Sequence, residues 1–394
     1  MRSLLAGFYT SVLGTQMTPV ALAFAVLSSG YGVAGLGLVL GAGRLPVVGF
    51  VLIGGVLADR LSRRTLLLIT DVVCGVSQAV LAIWILTGRV PLAALMVFAA
   101  IDGLGSAFSR PALAGIIPSL NEPGTLQRAN ALIGFGRSVG RLLGPAAGGL
   151  LVVAFNPGAV IAIDAASYLA SALFMLGVPR DTAAPRSRPS GLVADLREGW
   201  AEFRSRRWLW TLVAQFSLIH LAVLPAYMVL GPQIAADGLG GARGWGFILG
   251  GFGAGAVVAG LVMARVTPHY PLRTGVFGVS GFVLALLTLA VSAPLPAVIA
   301  GGFAAGLGMG VFVTLWETSL QANVPREVLS RVAAYDWFGS LVTLPLGYAL
   351  VGFAAPVVGV VPLLVIGIAV IIATSLAVLA LPDVRNLTNP QPTT

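Results

Sequence analysis

The chain contains no lysine: all 23 of its basic residues are arginine. That absence removes the lysine of a phosphate-binding loop and any Schiff-base or amine nucleophile. One cysteine and two histidines are too few for a tetrahedral Cys/His zinc site. Cys74 alone cannot form an internal disulfide, and within its apolar run it reads as inert packing. Charge is also scarce. Only 9% of the 394 residues are charged, against roughly 25% in soluble domains, so a charged, water-facing exterior cannot be built. What is present is apolar: 57% hydrophobic residues, 51 glycines and a mean hydropathy of +0.96. A bilayer removes the need for a charged surface, so the composition predicts a polytopic integral membrane protein. The net charge of +9 would suggest nucleic acid in a soluble protein. Here no nucleic acid is expected, and anionic membrane lipid is the predicted partner.

Apolar runs of about 20 residues, enough to cross ~30 Å of hydrocarbon, recur along the chain. They fall at 4–27, 33–57, 65–87, 91–119, 126–154, 157–178, 208–232, 244–266, 273–292, 295–322, 330–354 and 357–381. None shows the period-two alternation of barrel strands, so the expected fold is all-α. The first run is too long for the core of a cleavable signal. With the N-terminus inside, seventeen arginines face the cytoplasm and only Arg89 and Arg243 face outward. That positive-inside bias places both termini in the cytoplasm.

The two halves repeat. Pro118, Leu126, Arg128 and Gly136 have counterparts in Pro325, Leu329, Arg331 and Gly339, and the Gly55–Arg60 pair returns as Gly260 and Arg265. Duplication of a six-helix unit is a transporter architecture. The expectation is twelve transmembrane helices in two pseudo-symmetric six-helix bundles, 1–178 and 208–381. Residues 179–207 form a cytoplasmic linker and 382–394 a cytoplasmic tail. The linker opens with Pro179, Pro185 and Pro189. It then sets Leu192, Leu196, Trp200 and Phe203 on one helical face, as an interfacial helix or a solvated connector would.

GGVLADRLSRR at 54–64 resembles the signature loop between helices 2 and 3 of the major facilitator superfamily, through Gly55, Asp59, Arg60, Arg63 and Arg64. Ser62 stands where that signature usually has glycine. GRLLGPAAGG at 140–149 is similar to the helix 5 signature of the superfamily's antiporters, carried by Gly140, Gly144, Pro145, Gly148 and Gly149. The text around it, with PREVLSRVAA near 324–334, resembles the branch holding macrolide-efflux proteins and the enterobactin exporter. In physical terms, Gly55 allows close helix approach. Asp59 suits a helix N-terminus, and the three arginines can pair with acids or reach lipid phosphate. Such a charged latch makes and breaks between conformations; simple cytoplasmic anchoring is the competing role.

Ionisable residues at membrane depth are candidates for function. At ~1.5 Å per residue, Arg44 lies ~17 Å into its span, and Asp102 and Arg137 reach a similar depth. His220 is comparably deep, while Arg141 and Asp164 lie nearer the outer face. Depth alone permits an Asp102–Arg137 pair and an Arg141–Asp164 pair. Asp102 is the first choice for a proton-coupled carboxylate, with a permanent ion bridge as its alternative. For Asp164 the structural bridge is favoured, and for His220 a hydrogen-bonded packing role. Arg44, Arg137 and Arg141 outnumber Asp102 and Asp164, which favours an anionic or hydrogen-bonding substrate.

The resulting expectation is a proton-coupled exporter of a small organic molecule (drug, antibiotic, siderophore or other secondary metabolite) working by alternating access. It would be a monomer in the cytoplasmic membrane, with protons and substrate as partners and no cofactor or metal. Two alternatives stay open on sequence alone. One is an importer or uniporter on the same fold. The other is a membrane-embedded enzyme or binding protein using an internal cavity; the lack of lysine, of a metal cluster and of a Ser-His-Asp grouping weighs against it.

Overall fold

The computed structural model describes residues 2–51, 62–88, 90–120, 125–179, 192–325 and 328–388. Gly55, Asp59 and Arg60 of the signature loop lie outside the described residues, as do Arg89, Arg180, Pro185, Arg186, Arg188, Pro189 and Arg326. Helices occupy the predicted spans. α1 (Arg2–Ser28), α2 (Gly32–Val51), α3 (Arg63–Thr87), α4 (Leu92–Ser119), α5 (Leu126–Ala154) and α6 (Pro157–Leu176) precede the linker helix α7 (Leu192–Ser205). α8 (Arg207–Gly238), α9 (Gly241–Met263), α10 (Pro271–Ala290), α11 (Leu295–Asn323), α12 (Leu329–Val358) and α13 (Val360–Leu379) follow. No strand occurs among the described residues.

Among the described residues, eleven helices are long and apolar enough to cross a membrane. α5 is as long, at 29 residues, but Arg128, Arg137 and Arg141 dilute its apolarity. The sequence explains several helix ends. Ser62 Oγ accepts the Thr65 N–H at 3.2 Å to cap α3, and Asn156 Oδ1 accepts the Ala159 N–H at 2.9 Å to cap α6, with Pro157 in its first turn. Between α1 and α2 the chain reverses through Gly30 (φ 81°) and Gly32 (φ 58°), a conformation that side chains with a Cβ resist. Large apolar side chains face outward, among them Ile83, Leu173 and Val357, the last 86% exposed. Such a surface is suited to hydrocarbon rather than water.

Packing divides the chain into two compact units: Met1–Ser187 with Pro232–Gly250, and Arg188–Gly231 with Gly251–Thr394. In the first, α6 packs along both α1 and α3, α2 along α4, and α5 along α1. Two apolar clusters stand at opposite ends of this unit. One gathers Val26, Leu36, Leu81, Leu95 and Ile161; the other gathers Leu4, Leu66, Ile116, Ile133 and Met175. The polar residues described next lie between them along the same helices. In the second unit α10 packs on α11 and α13, and α12 on α8 and the linker helix α7. There Trp200, Phe203 and Tyr335 form an aromatic cluster and Arg331 pairs with Glu198 at 2.6 Å.

Candidate functional site

α6 carries a polar stripe. Asp164, Ser167, Tyr168 and Ser171 recur at helical spacing, so all four share one face, and all are buried. Each meets a group from a neighbouring helix or its own turn. Thr18 Oγ1 on α1 donates to Asp164 Oδ2 at 2.7 Å, and Ser167 Oγ donates to the Asp164 carbonyl at 2.8 Å. Tyr168 Oη donates to Asp102 Oδ1 on α4 at 3.1 Å. Ser171 Oγ donates to Asp71 Oδ2 on α3 at 2.6 Å. Across from this stripe, α3 presents Asp71, Cys74 and Gln78 at the same spacing, all buried. The Cys74 thiol feels the charges of Asp71, Asp102 and Asp164, and Gln78 faces the Asp102 carboxylate. Small residues make room for this seam: a Cβ on Gly14 would collide with Ser167 and Asp164, and one on Gly105 with Cys74.

The basic residues lie beside the seam, not inside it. Arg44 on α2 acts electrostatically on Asp102. Arg44, Arg137 and Arg141 all act on Arg110 of α4, and all four side chains are exposed. Arg137 also sits 6.0 Å over the Phe8 ring, a cation–π distance. The two pairs that depth permits, Asp102–Arg137 and Arg141–Asp164, are not formed in this structure. Among the described residues the ion pairs are Arg206–Glu202 at 2.7 Å and Arg331–Glu198 at 2.6 Å, both on the linker helix or against it. The reason is rotational: Asp102 and Asp164 turn toward hydroxyl groups of α6 and α1, while Arg137 and Arg141 turn to an exposed face of α5.

Of the signature loop, Arg63 and Arg64 are described. Arg63 Nη1 donates to the Gly115 carbonyl of α4 at 2.8 Å. Arg64 donates through Nε to Met175 O at 3.0 Å and through Nη2 to Leu176 O at 2.9 Å. Those last two carbonyls end α6, where helical partners run out and the helix dipole favours a cation. The pair therefore staples α3 to α4 and α6.

The helix 5 motif has two working faces. Gly136, Gly140, Gly144 and Gly148 form a stripe with a four-residue repeat against Phe8, Tyr9, Val12, Gln16 and Met17 of α1. Gly149 and the Pro145 carbonyl instead meet Ala242 and Gly246 of α9, inside the same compact unit. Small residues on both faces allow backbone-close helix contact.

In the second unit His220 lies in a π-helical turn, Ile219–Val223, of α8. Its Nδ1 is 2.7 Å from the Ser340 carbonyl of α12; a carbonyl only accepts, so Nδ1 carries the proton. Thr343 Oγ1 donates to Ser217 O at 2.6 Å nearby. Asp336 is held by Trp316 Nε1 at 2.9 Å, and Gln215 by Ser375 at 3.2 Å. Among the described residues no cluster of three or more His, Cys, Asp or Glu is arranged to hold a metal ion. Sequence reasoning passed over Thr18, Gln78, Tyr168 and Ser171. The stripe of Asp164, Ser167, Tyr168 and Ser171 was the available signal, because its spacing predicts one polar face on an otherwise apolar helix.

Comparison with solved structures places the fold among the major facilitator transporters. The nucleoside transporter NupG superposes with a TM-score of 0.75 at 14% identity, over 96% of this chain and 99% of that one. A bacterial homologue of the human lysosomal transporter Spinster gives 0.71 at 14% identity, over 99% and 98%. The family profile described as transmembrane secretion effector matches residues 1–390, and the chain belongs to that family. Similar proteins include the multidrug efflux pump Tap of Mycolicibacterium fortuitum, 24% identical over 89% of this chain and 88% of that protein. Macrolide efflux protein A of Streptococcus pyogenes is 26% identical over 81% and 80%. The enterobactin exporter EntS of Salmonella typhimurium is 25% identical over 80% of each chain.

Proposed function

We propose that this membrane protein exports a small organic anion in exchange for protons, by alternating access, from the cytoplasmic membrane with both termini inside. The observation that carries this reading is a cluster of four exposed arginines, Arg44, Arg110, Arg137 and Arg141, one of which, Arg44, acts on the Asp102 carboxylate. Asp102 is half-buried and hydrogen-bonded to a neutral phenol, so it can gain and lose a proton without breaking an ion pair. The arginines offer planar, bidentate donors to carboxylate, sulfonate or phosphate groups. Export, rather than import, follows the efflux pumps and exporter among its relatives. Arg63 and Arg64 hold the cytoplasmic ends of α3, α4 and α6 together, and the signature loop acts as the conformational latch. His220 and Asp164 position their helices.

The energetics suffice. One proton entering down 100 mV and one pH unit releases about 3.7 kcal/mol, enough for a roughly 500-fold gradient of a neutral solute, and a monoanion leaving a negative interior gains about 2.3 kcal/mol more from the same potential. The test is uptake into inverted vesicles energised by a pH gradient, with carboxyfluorescein as the anionic probe and ethidium as the cationic one. Gradient-dependent accumulation of the anion supports the reading. Vigorous ethidium transport with no anion movement overturns it.

A further inference from the structure

The linker helix α7 covers a groove in the second unit. Trp200 and Phe203 of α7 form its roof, stacked with ring centroids 5.6 Å apart. Beneath that roof α8 and α12 begin side by side, and the groove runs between them. Trp210, Ala214 and Ser217 recur at helical spacing along one wall, and Tyr335 and Gly339 along the other, around a volume of about 320 Å³. The roof is fixed to the unit. A Cβ on Gly199 would press on Arg331 and Tyr335, and Arg331 pairs with Glu198 at 2.6 Å.

Length and exposure point to a lipid chain. From Arg207 to Ser217 the wall covers ~15 Å of helix, about half of a ~30 Å hydrocarbon core, so the groove is one leaflet deep. Beyond it the same helix faces continue through Leu218 on α8 and Val342 and Leu346 on α12, all exposed. The far end therefore opens onto hydrocarbon.

Charge points to the headgroup. Arg204 stands one turn from Trp200 on α7, and Arg207 one turn from Trp210 on α8; all four side chains are exposed. Tryptophan beside arginine suits the membrane–water boundary. Among the described residues neither Arg204 nor Arg207 has an ion pair, because Glu198 is taken by Arg331 and Glu202 by Arg206. A second groove, between α3 and α6, has a similar volume of about 360 Å³ but is lined by aliphatic side chains such as Val72 and Leu173. At its end Arg64 is engaged by the Met175 and Leu176 carbonyls.

We propose that the groove under α7 binds one anionic phospholipid of the leaflet next to the linker helix. An acyl chain lies between α8 and α12, and the phosphate meets Arg204 and Arg207, whose planar donors match its oxygens. Two uncompensated charges select an anionic headgroup over a zwitterionic one. The site lies wholly within the second unit and shares no residue with the arginine face of the first.

The test is native mass spectrometry of the full-length protein, delipidated in detergent and titrated with phosphatidylglycerol or phosphatidylethanolamine carrying the same acyl chains. The first phosphatidylglycerol adduct is expected at a concentration at least tenfold below that needed for phosphatidylethanolamine. Arg204→Gln and Arg207→Gln are each expected to weaken phosphatidylglycerol binding about fivefold and to leave phosphatidylethanolamine binding unchanged. Ala214→Phe, which puts bulk into the groove from an exposed position, is expected to remove the first adduct of both lipids. Val72→Phe, in the groove between α3 and α6, is expected to keep it. Equal affinity for the two lipids overturns the proposal, as does a preference that survives the Arg204→Gln/Arg207→Gln double variant. So does an unchanged first adduct in Ala214→Phe. Should Ala214→Phe fail to fold, the substitutions at the two exposed arginines decide. None of these readouts involves transport, so they are independent of the exporter reading.

Discussion

Gly43 and Gly103 bring α2 and α4 into backbone contact: a Cβ on Gly103 would overlap the Gly43 carbonyl. The next residue on α2 is Arg44 and the preceding one on α4 is Asp102, so this crossing sets the separation of the charge pair. Gly103→Ala must push the helices apart. Overpacking of this kind costs about 1–3 kcal/mol. The expected result is a lower thermal unfolding midpoint and weakened proton-driven uptake of carboxyfluorescein, whereas Gly134→Ala, with nothing within 4 Å, leaves both unchanged.

Asp102→Asn keeps the shape of the side chain and its contact with Tyr168 but removes the exchangeable proton. Uptake driven by a pH gradient is expected to vanish, while exchange of labelled for unlabelled probe across unenergised vesicles continues. Full gradient-driven transport by the variant would take Asp102 out of the mechanism.

The arginine face predicts a charge-selective loss. Arg44→Gln, Arg110→Gln and Arg141→Gln each remove one member of a cluster whose fields overlap. Affinity for the anionic probe is expected to fall about fivefold per substitution, since each long-range charge contribution is worth around 1 kcal/mol at these exposed positions. The loss should shrink as salt is raised, because exposed charges are screened beyond ~8 Å at physiological ionic strength. Competition binding of carboxyfluorescein across a salt series measures both effects.

The helices were legible because crossing a bilayer demands uninterrupted apolar length, and α1 to α6 and α8 to α13 follow those runs closely. α5 was legible for the same reason, even though Arg137 and Arg141 leave it less apolar than its neighbours. The pairing of charges was not legible, because depth fixes height along a span but leaves its rotation open. At 3.6 residues per turn, a small rotation decides whether Asp102 meets Arg137 or Tyr168. Tyr168 and Ser171 lay in plain sight at the spacing of Asp164, yet a hydroxyl on an apolar helix carries little signal until its partner is known. The helix 5 glycines show the converse: small residues permit close helix packing, and the structure supplies α1 and α9 as the two surfaces they meet.

Thr18 gives the strongest stability prediction. Its hydroxyl reaches the fully buried Asp164 at 2.7 Å, ahead of the other side-chain partners of that carboxyl group, Ser167 Oγ at a long 3.4 Å and the Thr15 hydroxyl. Thr18→Val preserves shape and volume but leaves Asp164 short of its best donor, in a fully buried position. An unsatisfied buried polar group costs about 1–3 kcal/mol, and here the loss falls on the seam between α1 and α6, two helices that pack along most of their length. The expected outcome is a clear drop in the thermal midpoint of purified protein, with unchanged probe affinity in the fraction that remains folded. Combining Thr18→Val with Asp164→Leu should recover part of the lost stability, because removing both partners leaves no orphaned group behind. A double variant no more stable than Thr18→Val alone would mean that the Asp164 carboxyl is held by something other than this hydroxyl.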